Sequence, residues 1–397
     1  MEKRGVFMTK KVLAVLLVCV ISISAVFASD WHFVFGDVSQ HPEVLWGFIP
    51  SYFDAGAGYK GLSLIDGNTT DMQLLVGGGI SQRKLWQDPT TGEIIRKDPL
   101  IYDVWDFDWS VRFVQGFLTN PMNTEKDMIS ITLAYNGQYE KAKDSMAVGK
   151  ERANGEKRAV LSMNDFFSSS DRVANRIYPE INGSGDFLGT QLASYIKFDL
   201  MEDTLHENNG FLGKVSMLWG PRALNSSLSG FADYFALRMD AIGAYTLYDY
   251  KKNDKSYFSV VIADRFNCGY VTGNAIPAFI QGPESLGRKV RGFNTYTYNT
   301  SFTVVNNLDL RLCGPDMGLK GLAPRVNLFF DIGYGCGNVN NTEDKESNLL
   351  ASTGVQGTVS IFDFIDLGYQ LAYLIKGDNY TNGSSRIAGS VTFFLDF

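Results

Sequence analysis

The sequence predicts an all-β chain that crosses a membrane as an antiparallel up-and-down β-barrel, and three observations predict it. Apolar and polar residues alternate over many stretches, most clearly in Trp105-Asp106-Phe107-Asp108-Trp109-Ser110-Val111-Arg112-Phe113. A period of two puts the odd residues of that stretch on one face of a strand and the even ones on the other. After the apolar run near the N-terminus, no stretch holds the ~20 continuous apolar residues that a membrane helix requires, so the rest of the chain spans with strands or not at all. Composition points the same way: 28 Phe, 19 Tyr and 40 Gly stand against 11 Pro. A mean hydropathy close to zero fits a barrel, because lumen-facing polar residues offset lipid-facing apolar ones.

The two ends of the chain place that barrel. Residues 1–28 read as an export signal peptide. Lys3, Arg4, Lys10 and Lys11 form its basic part, with Met8 an alternative start, and Val12 to Phe27 its apolar part. Val26-Phe27-Ala28 precede a cut at Ser29. Cys19 does not suit a lipoprotein site, since bulky Val18 precedes it and the apolar run continues beyond. At the other end Val391, Phe393, Leu395 and Phe397 share one face of a strand that closes the chain. An alternating last strand with a terminal aromatic resembles the sorting signal of bacterial outer-membrane β-barrels. That resemblance implies the bacterial outer membrane and its lipid as surroundings. It also makes Phe393, Leu395 and Phe397 part of the seam between first and last strands.

Between these ends, residues 29–43 read as a short N-terminal extension and 44–397 as the barrel domain. Strands are expected over 44–62, 70–87, 101–117, 128–142, 187–201, 209–222, 231–250, 256–272, 297–313, 324–338, 349–362, 364–376 and 385–397. A bacterial barrel with both ends in the periplasm needs an even number, so these thirteen are incomplete. The segment 143–186, with Val160-Leu161-Ser162-Met163 and Arg176-Ile177-Tyr178, and the segment Trp31-His32-Phe33-Val34-Phe35 are the places for more. Short connections such as Asp363 to Asp366 and Gly314 to Pro324 alternate with longer ones such as Gly273 to Thr295 and Val339 to Asn348, as periplasmic turns and surface loops do. Pro50, in the expected first strand, removes one ladder donor; this either weakens the seam or marks where that strand begins.

On the strand 101–117 the even residues Asp106, Asp108 and Arg112 face the lumen, the carboxylates balanced by Arg112; acid/base work or Ca²⁺ at Asp103, Asp106 and Asp108 is the other reading. Few features suggest other chemistry. A net charge of −7 argues against a nucleic-acid surface. His32, His41 and His206 lie far from one another and from Cys268, Cys313 and Cys336, and neither CxxC nor HxxxH spacing occurs, so no metal and no cofactor is expected. Without a His base near a nucleophile the chain is not expected to be an enzyme. Three cysteines after Cys19 imply at least one free thiol or an intermolecular bond.

Residues 274–293 read Asn-Ala-Ile-Pro-Ala-Phe-Ile-Gln-Gly-Pro-Glu-Ser-Leu-Gly-Arg-Lys-Val-Arg-Gly-Phe. With the Gly282-Pro283-Glu284-Ser285 turn, the ending Val290-Arg291-Gly292-Phe293 and the later Asn307-Leu308-Asp309-Leu310-Arg311 and Val326-Asn327-Leu328-Phe329-Phe330-Asp331-Ile332-Gly333, this region resembles the BamA/TamA superfamily of bacterial surface antigen barrels. The resemblance covers 256–397. It implies that loop 273–295 folds back into the barrel, that Arg291 of the Arg291-Gly292-Phe293 motif anchors it on Asp331, and that Asp309 lies nearby. Strand parity agrees, since the apolar residues of 297–313 and of 324–338 fall on even numbers and leave Asp309 and Asp331 facing inward. Two inward carboxylates on neighbouring strands suit an arginine fork.

The pattern departs from the family in two places. Leu286-Gly287-Arg288-Lys289 lengthens the loop before the arginine. The ~15 residues between the expected cut and the first strand are too few for the family's periplasmic POTRA domains, given the ~100-residue scale of a domain, so the chain resembles a barrel-only subset. Family numbering makes 256–272 the eleventh strand, which implies sixteen strands, with fourteen the alternative. Cys268 and Cys336 then stand two strands apart, roughly 10 Å, too far for a disulfide, and free thiols are expected. The family implies help with insertion or transport of proteins or lipids at the outer membrane, with the barrel-assembly machinery as a partner that the chain serves as client or accessory. A porin-like diffusion channel or a surface-exposed structural or adhesin barrel is the alternative.

Overall fold

Among the described residues fourteen strands, each hydrogen-bonded to its neighbours in sequence, make one antiparallel up-and-down sheet. The computed structural model describes residues 30–35, 52–85, 88–92, 100–124, 126–145, 163–182, 184–202, 209–225, 231–253, 256–281, 285–293, 300–314, 322–337, 348–361, 365–377 and 385–395. Residues 1–28, expected as an export signal, with Cys19, and Pro50, His41, His206, Gly282-Pro283-Glu284 and Phe397 lie outside these residues.

The strands are β1 (Trp31–Phe35), β2 (Tyr52–Tyr59), β3 (Thr70–Leu85), β4 (Leu100–Thr119), β5 (Asp127–Asp144), β6 (Asp186–Asp199) and β7 (Gly210–Gly220). They continue as β8 (Asp233–Asn253), β9 (Ser256–Ala275), β10 (Phe302–Cys313), β11 (Leu322–Cys336), β12 (Asn348–Ile361), β13 (Ile365–Lys376) and β14 (Ile387–Leu395). Among the described residues four short α-helices lie in two connections, α1 (Met163–Ser168) and α2 (Ser170–Ala174) between β5 and β6, and α3 (Ala278–Gln281) and α4 (Leu286–Lys289) between β9 and β10, with one 3-10 turn, Arg222–Leu224, between β7 and β8.

The count corrects the expectation of sixteen strands to the alternative, fourteen. The strand missing from the visible set is β1, which lies inside the stretch expected as an extension and pairs with β2 from Trp31 opposite Tyr59 to Phe35 opposite Ala55. Five residues hold too few periods to stand out. Between β5 and β6 the described residues carry α1 and α2 and no further strand. Ser256–Ala275 is therefore the ninth strand and not the eleventh.

Connections after odd-numbered strands include the long 145–185 and 276–301, while those after even-numbered strands include the short 254–255 and 362–364. The long ones mark one end of the barrel, and the start of β1 and the end of β14 lie at the other, the arrangement of surface loops and periplasmic turns. The outward face is apolar: Leu133 is 56 % exposed, Trp105 54 % and Leu328 47 %, and Phe107, Val111, Phe330 and Ile332 join them. An exposed apolar band of this extent finds its partner in lipid, not in a protein core. Cys268, Cys313 and Cys336 are free thiols.

Candidate functional site

The inward face of the sheet is occupied by the chain's own loop. Residues 276–281 and 285–293 enter the lumen in two steps. Ile276 and Ile280 pack on Leu218, Tyr234 and Val271 of β7 to β9, with Phe279 beside them. Leu286 and Val290 then pack with Val305 of β10 and Leu350 of β12, and Phe293 completes that cluster. The inserted Leu286-Gly287-Arg288-Lys289 is α4, one helical turn that lays Leu286 against the lumen wall. The wall is shaped to receive it. A Cβ on Gly333 of β11 would stand 2.7 Å from both Leu286 Cδ1 and Val290 Cγ2, so a side chain there would displace the loop.

Arg291 sits at the end of this path. Its backbone N–H donates to Asp331 Oδ2 at 2.9 Å and its Nε to the same oxygen at 2.8 Å. Its Nη2 donates to Asp331 Oδ1 and to Asp309 Oδ1, each at 2.6 Å. The guanidinium lies 4.0 Å from the centre of the Phe329 ring, a cation–π contact that also shields the pair from water. Asp331 is fully buried, and Arg311 approaches Asp309 at 3.8 Å. A buried carboxylate that loses its cation is costly, so Asp331 and Arg291 depend on one another. Gly292 follows with φ +90°, and a Cβ on it would lie 2.6 Å from the Ala372 Cβ of β13. The chain thus turns sharply against β13 in a conformation that glycine alone adopts freely. The structure therefore brings Arg291, Gly292, Phe293, Asp309 and Asp331 together in the lumen.

Of the other lumen charges, Arg112 attracts the Asp108 carboxylate as the sequence leads one to expect, and Asp106 departs from that expectation. Asp106 is buried, but its partners are Gln138, whose Nε2 donates to both carboxylate oxygens at 3.1 and 3.0 Å, and Arg83 at 3.5 Å. Arg112 does not balance Asp106; its Nε donates to Ser110 Oγ at 2.9 Å. Asp108 and Arg112 both line the open part of the lumen. Arg83 pairs most closely with buried Glu140, at 2.6 Å.

A second loop reaches the first from above. Met163, Phe166, Tyr178 and Ile181, all in the connection between β5 and β6, pack on Leu85, Leu100, Tyr102 and Val104 at the loop end of β3 and β4. The Ile177 N–H donates to Pro89 O at 2.8 Å. This cap carries Glu180, whose Oε1 accepts from the Ala278 N–H at 2.6 Å, joining it to α3. Burial, and then the neighbouring Glu140 carboxylate, push the Glu180 carboxyl up to about 8. Arg83, Glu140 and Glu180 were not singled out by the sequence. Arg83 and Glu140 meet across strands 57 residues apart, and Glu180 lies in a loop with no period. A charged residue in register with Asp106 was the one available signal.

Phe393 and Leu395 lie in β14, which pairs with β13 in register Leu367 opposite Phe393 and Ile365 opposite Leu395. Among the described residues no group of three or more His, Cys, Asp and Glu side chains is placed to hold a metal ion. Chemically, the lumen arrangement holds a loop in place by a desolvated ion pair.

No protein-family model matches the chain. No curated protein matches it either. Among solved structures it is similar to BamA from Haemophilus ducreyi lacking POTRA domains 1–3, at 12 % identity and a TM-score of 0.50 over 87 % of this chain and 62 % of that one. The chain thus spans less than two thirds of that BamA structure. An outer-membrane channel from Pseudomonas putida F1 aligns at 9 % identity over 83 % of this chain and 93 % of that one, with a TM-score of 0.28. At 12 % identity the BamA likeness establishes the fold alone: an antiparallel up-and-down barrel.

Proposed function

We propose that this chain is a bacterial outer-membrane barrel of the BamA/TamA type that aids the insertion or transport of proteins or lipids at that membrane, with lipid and the barrel-assembly machinery as its partners. One observation carries the reading: the Arg291 fork on Asp331 and Asp309 that fixes an inward loop against β10 and β11. A barrel whose own loop fills part of its lumen is poorly suited to rapid passive flow. Its working part is then the margin of the sheet, where β1, a strand of five residues, and β14 each pair on one side only among the described residues. A short margin strand pairs through few hydrogen bonds, so the barrel opens there most readily and offers a strand edge to an incoming chain.

The test is a liposome assay of outer-membrane barrel insertion, run with and without the purified protein. It is coupled to a disulfide trap made by Phe33→Cys with Val391→Cys, with native thiols replaced by serine. The reading expects faster insertion that the trapped form loses and a reductant restores. An absence of acceleration, or an activity indifferent to the trap, would sink it.

The lumen cavity of about 1130 Å³ favours a second reading, a solute channel. Large and stable single-channel conductance that Arg291→Ala leaves unchanged would select that reading.

A further inference from the structure

The cavity that remains in the lumen has a charge opposite to that of the molecule. Eight basic and four acidic side chains line it, whereas the whole chain has a formal net charge of −7. Six of the basic ones gather on one wall, β6 to β9, and on α4: Lys197, Lys214, Arg238, Arg265, Arg288 and Lys289; Arg83 and Arg112 stand on β3 and β4. Asp54 and Asp108 stand on β2 and β4.

The strand register makes the basic wall dense. Lys197 and Lys214 are directly opposite one another on β6 and β7, a like-charge cross-strand pair that costs stability. It is partly relieved. Asp199 meets Lys197 at 2.7 Å, Asp240 stands opposite Lys214 on β8, and the Lys214 ammonium lies 5.0 Å from the Tyr195 ring centre. Arg265 stands opposite Asn307, whose amide donates to Lys289 O at 3.0 Å and so ties the loop's basic turn to this wall. Lys214 and Arg265 are solvent-exposed within the barrel. A cleft lined mainly by one sign of charge between low-dielectric walls concentrates counter-ions.

From this we infer that the lumen cavity is a binding site for a multiply charged oxyanion, in the form of a phosphorylated solute or the phosphate of a lipid headgroup. Arg238, whose Nη2 also donates to Ile280 O at 3.1 Å, and Arg265 offer guanidinium donors to phosphate oxygens, and Lys197 and Lys214 add point charges. An anion held there removes the repulsion between the two lysines, while Asp54 and Asp108 repel it toward the basic wall. The site does not depend on the insertase reading.

The experiment is isothermal titration of the full chain in detergent micelles at low salt. One arm uses inorganic pyrophosphate and the other mixed micelles containing a phosphatidic acid lipid. Each arm is run on wild type and on the Lys214→Glu/Arg265→Glu variant. The inference expects binding in at least one arm, weakened by at least ~10-fold in the variant, as reversal of two facing charges implies. Binding of pyrophosphate assigns the site to a soluble anion, and binding in the lipid arm alone assigns it to a headgroup. No binding in either arm, or equal binding by variant and wild type, overturns the proposal. Heat-modifiable gel mobility checks that the variant is folded; if it is not, Lys214→Gln/Arg265→Gln is read in its place.

Discussion

Arg291 is the residue on which most of the lumen's order converges, because one side chain satisfies two carboxylates and covers an aromatic ring at once. Removing it leaves Asp331 buried without its cation, a change that costs ~3–5 kcal/mol in comparable buried pairs. Arg291→Ala is therefore expected to lower the midpoint of the heat-induced gel shift strongly. Arg291→Lys should fall between the two, since lysine keeps the charge and loses the fork. Gly292→Ala should be costly for an independent reason: ~1–2 kcal/mol for the left-handed backbone and ~1–3 kcal/mol for crowding Ala372. Its gel-shift midpoint should fall while Arg291 keeps its partners. These residues were legible in the sequence because two strands of clean parity fixed which way Asp309 and Asp331 face, and a motif resemblance supplied the arginine. The Arg83, Glu140 and Glu180 group was not legible. Arg83 and Glu140 meet through the pairing of β3 with β4 and β4 with β5, which single-strand alternation does not reveal, and Glu180 comes from the cap loop.

At the scale of elements, two connections form a cap and a plug that meet at Glu180 and Ala278. The Glu180 carboxyl, ordinarily near ~4.3, is held at about 8, so the docked state binds its proton more tightly than the undocked state. Docking is then strongest in acid and weakens as pH rises from ~4 toward ~8, with no further change above that range. Glu180→Gln imitates the protonated form and should abolish this dependence. Labelling a cysteine at Met163, with native thiols replaced, reads it out. The wild-type rate should exceed that of the Glu180→Gln protein at pH ~8 to 9 and approach it near pH ~5, and equal rates throughout would contradict the assignment. The cap also explains why 143–186 misled the strand count. Ile177 and Tyr178 are apolar because they pack on β3 and β4 from the cap, and a loop that buries side chains in a cap shows the same short apolar runs as a strand facing lipid.

Across the whole molecule, the sheet follows from alternation. Residues that would form one side of a core in a water-soluble sandwich lie exposed on the outside here, and the polar set lines the lumen. Long alternation made β4, β10 and β11 plain, whereas the five residues of β1 stood out only as a place for a further strand, and the described residues hold fourteen strands where family numbering implied sixteen. The electrostatics of the lumen, an acidic side near β2 to β5 and a basic side near β6 to β9, belongs to this scale because no strand alone displays it. The account rests on a barrel held in order by its inward loop. A double-mutant cycle on heat-modifiable gel mobility tests that most directly, using wild type, Arg291→Ala, Asp331→Ala and the double variant. The predicted result is a clear heat shift in the wild type, a lower midpoint in each single variant, and a double variant no worse than the weaker single one. Additive losses, or a wild-type chain with no heat shift, would contradict it.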